Sequence, residues 1–356
     1  MNQKIYVIFF RALFSLFEGF MSFVYVALMK SSGLNSFQVG LILTLSLMVE
    51  ALSYVVLIVF SIPRNIIFSA LLVTISDVLL LLRNIYGFIL IAVISGISSA
   101  IYSAVIIIQK DFTKKDYSLM LGSVATTSVA GIGLYYLSAF IGVNLLLFAL
   151  LPVLIFNIII SMKIKYEEPE ENLKDFLQNL RSIGRTLFGV DFLIALRRTF
   201  LQGYISLILL SIFVRYTPQQ ISLYLTLFKI PTIPFLFIGH KISNNVYLIL
   251  SLLELTSFLF IAFFYNFSLF IFLIAVMLIL ILSSLRGPSA EQAIMKMLSF
   301  STKLSALFNL LDVMLSSISS LIIALMLEFG LYSLIILMIG ILNFMLDLTI
   351  YKMLRK

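Results

Sequence analysis

Arg11, Phe14, Glu18, Ser22 and Tyr25 recur every three or four residues along the first apolar stretch of the chain. On a helix of 3.6 residues per turn they form one stripe about four turns long. An ionisable group at the centre of a bilayer costs ~3 kcal/mol on insertion scales, so it faces a cavity or a partner. Glu18 lies near the middle of its stretch, which makes its carboxyl a candidate proton carrier. The plainer alternative is that Arg11 and Glu18, two turns apart, bridge to neighbouring helices and hold them together. A second stripe is formed by Arg198, Gln202 and Ser206 at i, i+4 and i+8, while Arg197 points elsewhere, towards lipid headgroups. Ser95, Ser99 and Ser103 stand beside Gly96, Ala100 and Ala104. Small residues at that spacing let helix backbones approach closely, and Tyr102 is a candidate cavity group next to them. A further polar run, Ser283-Ser284-Leu285-Arg286-Gly287-Pro288-Ser289, precedes Glu291, and its Gly-Pro pair predicts a bend or break. Lys229 is a lone base beside Ile230-Pro231-Thr232-Ile233-Pro234, where proline should disrupt a helix.

The elements that carry these residues are set by composition. The 356 residues are 62% hydrophobic and 11% charged, with a mean hydropathy of +1.16. A soluble domain carries roughly 25% charged residues. So much apolar surface needs lipid as its solvent, and a span takes ~20 apolar residues. The chain reads as an all-α polytopic membrane protein with twelve spans, at 5–28, 37–60, 66–82, 87–108, 117–141, 144–162, 191–214, 219–238, 245–264, 267–290, 303–327 and 331–353. The first stretch is too long for a signal-peptide core, so it is expected to be retained. The thinnest dividers are Gly142-Val143-Asn144 and Asn266.

Charge supports this division. With both termini cytoplasmic, sixteen of the 24 Lys and Arg fall on that side and three (Lys30, Arg83, Arg215) on the other. Five lie inside spans: Arg11, Arg197, Arg198, Lys229 and Arg286. Merging any two spans would scramble that positive-inside bias. The net charge of +8 is therefore read as loop charge, and no nucleic-acid partner is expected. With no cysteine and the single His240, neither disulfides nor a zinc site is available. No cofactor and no metal are expected.

The longest polar stretch, from Lys163 to Arg185, divides the chain near its middle. It reads as a short linker with an amphipathic helix on the cytoplasmic face. This predicts a six-helix bundle at 1–165, a linker at 166–188 and a second six-helix bundle at 189–356. The halves echo each other. Gln38-Val39-Gly40-Leu41-Ile42-Leu43-Thr44-Leu45 matches Gln220-Ile221-Ser222-Leu223-Tyr224-Leu225-Thr226-Leu227 at five of eight positions. Phe17-Glu18-Gly19-Phe20-Met21-Ser22 parallels Leu201-Gln202-Gly203-Tyr204-Ile205-Ser206 one span earlier. Because both halves start on the same side, the repeat is parallel.

On these features the chain resembles the major facilitator superfamily over nearly its whole length. The run from Gly33 to Leu43 is similar to that family's span 1–span 2 connection, and Arg286-Gly287-Pro288-Ser289-Ala290 to its span 10 end. It departs from the family in the loop between spans 2 and 3. There, Ser61-Ile62-Pro63-Arg64-Asn65 replaces the usual Gly-x-x-x-Asp-Arg-x-Gly-Arg run. The equivalent Gly239-His240-Lys241-Ile242-Ser243-Asn244 keeps the glycine without an acid. Span 4 has Ala92 where an Arg often precedes its glycine. In span 5, Gly131 and Gly133 stand in place of a Gly-Pro pair.

The resemblance implies a secondary transporter of a small organic solute, with protons as a candidate coupling partner. It would be a multi-pass, monomeric protein of the cell membrane in contact with lipid. Spans 2 and 11 would meet between the halves, making Glu50 and Asp312 candidate gating residues. Spans 3, 9 and 12 would be peripheral, which removes Asp77, Glu254 and Asp347 from the substrate set. That set is then Arg11, Phe14, Glu18, Ser22, Tyr25, Tyr102, Arg198, Gln202, Ser206 and Arg286. If Arg11, Arg198, Arg286 and Glu18 face one cavity, its balance is +2, which favours an anionic or zwitterionic solute. No phosphate-binding loop is present for ATP-driven transport, and no hydrolase or transferase constellation for an enzyme. The rival readings are a lipid-linked-saccharide flippase of another fold, and a membrane enzyme or sensor.

Overall fold

The computed structural model describes residues 3–59, 65–103, 105, 109, 112–165, 178, 189, 204–265, 268–298 and 302–355. Among the described residues the chain is helical throughout. The first six helices are α1 Gln3–Ser31, α2 Ser36–Val59, α3 Ile66–Leu79, α4 Ile85–Tyr102, α5 Lys114–Ile141 and α6 Val143–Ser161. The second six are α7 Tyr204–Ile212, α8 Pro218–Lys229, α9 Asn244–Phe264, α10 Leu269–Leu298, α11 Thr302–Glu328 and α12 Tyr332–Arg355. Among the described residues, ten helical segments are long and apolar enough to cross a membrane, and Ile66–Leu82 is a shorter apolar one. The protein is a multi-pass membrane protein. Apart from residues 178 and 189, the expected linker and the start of span 7 lie outside the described residues.

Local chemistry sets the helix ends. Thr113 opens α5 with a reciprocal capping box to Asp116, and Thr217 opens α8 with one to Gln220. Asn65 and Asn84 cap α3 and α4 with their side-chain oxygens. The thinnest predicted break is real. Gly142 has φ of 78°, which turns the chain between α5 and α6 at a conformation other residues resist. Pro231 and Pro234 interrupt span 8 as expected, so α8 continues through a 3₁₀ turn at Ile230–Thr232 and a short helix at Ile233–Ile238. Of the bend or break expected at Gly287-Pro288, the break does not occur, because α10 runs as one helix through Pro288. A proline removes one backbone hydrogen bond, and beside it Gly239 packs against the carbonyls of Ser284 and Leu285.

Within the first half, α1 packs along α5 and α6, α2 along α4, and α3 against α4 and α6. The α1–α5 contact is backbone to backbone: a Cβ on Gly131 would run into the carbonyl oxygen of Leu16. In the second half α9 packs on α10 and α12. The halves meet along α2–α11 and along α5 with α8 and α10. The Ser222 hydroxyl of α8 donates to the Ile132 carbonyl of α5.

The two ends of the molecule differ. Away from the termini, one continuous apolar cluster draws on both halves, including Phe20, Phe23, Phe88, Ile132, Leu209, Phe272, Ile323 and Ile336. Towards the termini each half has its own core, and a small cluster of Ala51, Tyr54, Ala100 and Val313 joins α2 and α4 to α11. The first-half core surrounds Val7, Phe10, Phe112 and Tyr117, and the second-half core Tyr247, Phe308 and Leu346. A cavity occupies the space between them.

Candidate solute cavity

The cavity has a volume of about 490 Å³ and takes its walls from both halves. The first half contributes Arg11 and Glu18 of α1, Glu50 and Tyr54 of α2, Ser99 and Tyr102 of α4, and Leu121 of α5. The second contributes Leu236 after α8, Ser283, Ser284, Gly287 and Glu291 of α10, Asn309 and Asp312 of α11, and Leu346 and Ile350 of α12. Ligand pockets run to roughly 300–1,000 Å³, so the space suits a small organic molecule.

Arg11 is held by neutral groups. Its Nε donates to the Tyr102 hydroxyl (3.1 Å) and its Nη1 to Gln109 Oε1 (3.3 Å) and the Met120 sulfur (3.4 Å). The Phe14 ring stacks on Tyr102 from the other side, with centroids 4.0 Å apart and planes 14° apart. The guanidinium makes no ion pair within 4 Å among the described residues, although Glu18 and Glu291 lie within electrostatic reach. It is therefore fixed in direction without being neutralised by contact.

The first-span stripe divides at mid-helix. Arg11 and Glu18 line the cavity, and Phe14 backs Tyr102. The Ser22 hydroxyl donates to the Gly19 carbonyl of its own helix (2.8 Å). Tyr25 is buried in the shared apolar cluster, and its hydroxyl donates to the Phe88 carbonyl. Ser22 and Tyr25 thus stand outside the cavity lining. A four-turn helix face extends beyond the cavity into the end where the halves close on each other.

Arg286 is the principal correction. It is 3% exposed and donates to both Glu254 and Asp347, and its Nη1 also donates to Ser251 (2.6 Å). Tyr247 donates to Asp347 (3.0 Å) and Asn343 to Glu254 (2.7 Å), closing a network across α9, α10 and α12. A guanidinium between two carboxylates is held by them, so Arg286 leaves the lining while its neighbours Ser284 and Gly287 stay in it. The expected +2 balance fails with it. Among the described residues the lining holds the cation Arg11 and the four carboxyl groups of Glu18, Glu50, Glu291 and Asp312. Arg198 and Gln202 lie outside the described residues, and so does the side chain of Ser206.

Glu50 and Asp312 are both buried, both line the cavity, and stand on the packed pair α2 and α11. Two lining residues absent from the predicted set had a readable signal. Tyr54 follows Glu50 by one helical turn, and Asn309 precedes Asp312 by three residues, so each shares a face with an intramembrane acid.

This assembly of two six-helix sets around a membrane-buried cavity has the major facilitator fold. The human organic anion transporter MFSD10 (TETRAN), a major facilitator superfamily protein, superposes with a TM-score of 0.68 over 98% of this chain and 99% of its own, at 12% sequence identity. No family model and no curated protein matches the sequence.

Proposed function

We propose that this chain is a secondary transporter that carries a small organic solute across the membrane by alternating access. The observation that carries the reading is the cavity, which is walled by eight helices from both halves and shut at the end remote from the termini by the shared apolar cluster. Rocking of the halves about α2–α11 and α5–α8 would open that cluster and close the opposite end. Glu50 and Asp312, at the α2–α11 contact, are the assigned gating residues. The positive-inside bias supports cytoplasmic termini in the cell membrane, and hence a cavity on the cytoplasmic side. The N-terminal bundle, linker and C-terminal bundle move as the sequence divides them, at 1–165, 166–188 and 189–356.

Of the anionic and zwitterionic solutes expected, the lining favours the zwitterion, with its anionic group at Arg11 and its cation among the carboxyl groups of Glu18, Glu50, Glu291 and Asp312. Arg11 supports this, since its guanidinium is oriented by Tyr102 and Gln109 and has no carboxylate in contact among the described residues. Such a group binds carboxylates strongly and directionally. The similar human structure is titled as that of an organic anion transporter, which agrees with the assignment. Glu18 is the assigned proton-coupling residue.

The test is uptake by proteoliposomes loaded or challenged with a small-molecule cell extract, read by mass spectrometry against empty liposomes. The expected result is a solute that moves with the protein and is competed by simple carboxylates. Identical solute profiles with and without protein would overturn the reading. Transport insensitive to every anion would overturn the assignment to Arg11.

A further inference from the structure

The seam between the halves at α5 and the interrupted span 8 has two sides. Leu121 of α5 and Leu236 of the short helix Ile233–Ile238 face the central cavity. Leu119 and Ile238 each stand two positions away, on the opposite side of their helices, and are 47% and 45% exposed. The Phe237 ring lies over Gly122 of α5, where a Cβ would meet it at 2.6 Å, and is itself 36% exposed. This side of the seam is an open apolar strip that looks out to lipid.

Bases from both halves stand at the end of the strip, where α5 begins and span 8 ends. Lys115 precedes Leu119 by one turn, so the two share a face of α5. Lys241 follows Ile238 by three residues and closes the turn Gly239–Lys241, which packs on α5 and α10. The join is made through backbone carbonyls. Lys114 Nζ donates to the Ile242 carbonyl (2.9 Å) and the Ser118 hydroxyl to the Phe237 carbonyl (2.8 Å). His240 Nδ1 lies 2.9 Å from that same carbonyl. Such contacts hold the seam together without neutralising its bases. Lys115 and Lys241 are exposed, and neither ammonium group has a partner among the described residues. The acids of these elements are engaged elsewhere. Asp116 of α5 accepts from Lys4 (2.9 Å) and from Thr113, span 8 has no acid, and Glu291 of α10 lines the cavity. Lys114, Lys115 and Lys241 therefore leave three positive charges beside an exposed apolar strip.

We infer that this seam binds one anionic phospholipid, with its phosphate between Lys115 of the first half and Lys241 of the second and its acyl chains along Leu119, Phe237 and Ile238. Basic groups at the membrane border attract anionic headgroups, and an ammonium–phosphate hydrogen bond is charge-assisted. A soluble phosphate would meet the same charge but leave the strip unused, so the lipid is the better match. Because the bases come from opposite halves, an occupied site favours the arrangement in which α5 touches the Gly239–Lys241 turn. The inference requires no solute and does not rest on the transport reading.

The chain contains no tryptophan, so one introduced indole reports its own lipid neighbours. Full-length Leu119→Trp is reconstituted in phosphatidylcholine vesicles with a minority of phosphatidylglycerol, either lipid in turn carrying brominated, quenching acyl chains. Should that variant fold poorly, Ile238→Trp reads the site from the other half. Phe263→Trp, at the far end of α9 and 76% exposed in the parent, is the reference. The expected result at position 119 is a preference for phosphatidylglycerol of roughly twentyfold, about fivefold for each of the two lysines, with no preference at position 263. Adding Lys115→Gln and Lys241→Gln together should abolish it. Quenching at position 119 in proportion to the bulk lipid overturns the inference, as does a preference that survives loss of both lysines. An equal preference at position 263 would also overturn it, by showing a general attraction and no site. Displacement of the preference by inorganic phosphate at constant ionic strength would reassign the bases to a soluble anion and sink the lipid site.

Discussion

Phe14 of α1 lies flat on Tyr102 of α4, with ring centroids 4.0 Å apart and planes 14° apart. The stack fixes the plane of the phenol, and the phenol oxygen in turn accepts from Arg11 Nε at 3.1 Å. An aromatic pair thereby sets the direction of the one cation in the described lining. Packing between two helices becomes orientation of a charge, and that charge is the assigned contact for the solute.

Tyr102→Phe keeps the stack and deletes the hydroxyl. The expected outcome is an unchanged melting temperature with about a tenfold rise in the KM for the transported solute, from loss of a hydrogen bond to a charged group. Proteoliposome kinetics separate KM from maximal rate. An unchanged KM would mean that Arg11 is placed by something else.

Gly131→Leu should prevent stable folding, because its side chain would have to enter the Leu16 backbone of α1. Gly133→Ala, two residues on, meets a Thr226 methyl at 3.1 Å and should be far milder. Fluorescence-detected size-exclusion chromatography of tagged variants reads both. Equal monodispersity of the two would contradict the α1–α5 approach.

Arg286→Gln strands the buried carboxylates of Glu254 and Asp347 together. Removing one partner from a buried ionic network costs ~3–5 kcal/mol, so a drop in melting temperature of several degrees is expected. The double variant Arg286→Gln with Asp347→Asn should recover part of it. If the single variant instead retained full stability and lost solute affinity, Arg286 would belong to the solute site after all.

The chain contains no cysteine, so single cysteines report cavity access directly. Glu18→Cys and Asn309→Cys should react with a membrane-impermeant thiol reagent applied from the side of the termini, while Tyr25→Cys should remain inert in the apolar cluster. Labelling that runs evenly from position 18 to position 25 would place the closed end elsewhere.

Much of this architecture is legible in the residues alone. Apolar runs, turn chemistry and the sidedness of Lys and Arg define twelve helices, because lipid forces every backbone group into helical hydrogen bonds. Gly142 and the Pro231–Pro234 segment mark a turn and an interruption where backbone geometry is a property of the residue itself. The polar stripe on α1 is likewise a matter of periodicity. Sequence periodicity names the face of a helix but not its neighbour, and the remaining decisions belong to neighbours. Only packing put Tyr25 into the closed end while Arg11 and Glu18 met the cavity. It surrounded Arg286 with acids from two helices that looked peripheral, and it brought the helix ends that carry Lys115 and Lys241 to one seam. A charge inside a membrane acquires its meaning from what faces it, and that is settled by which helices touch.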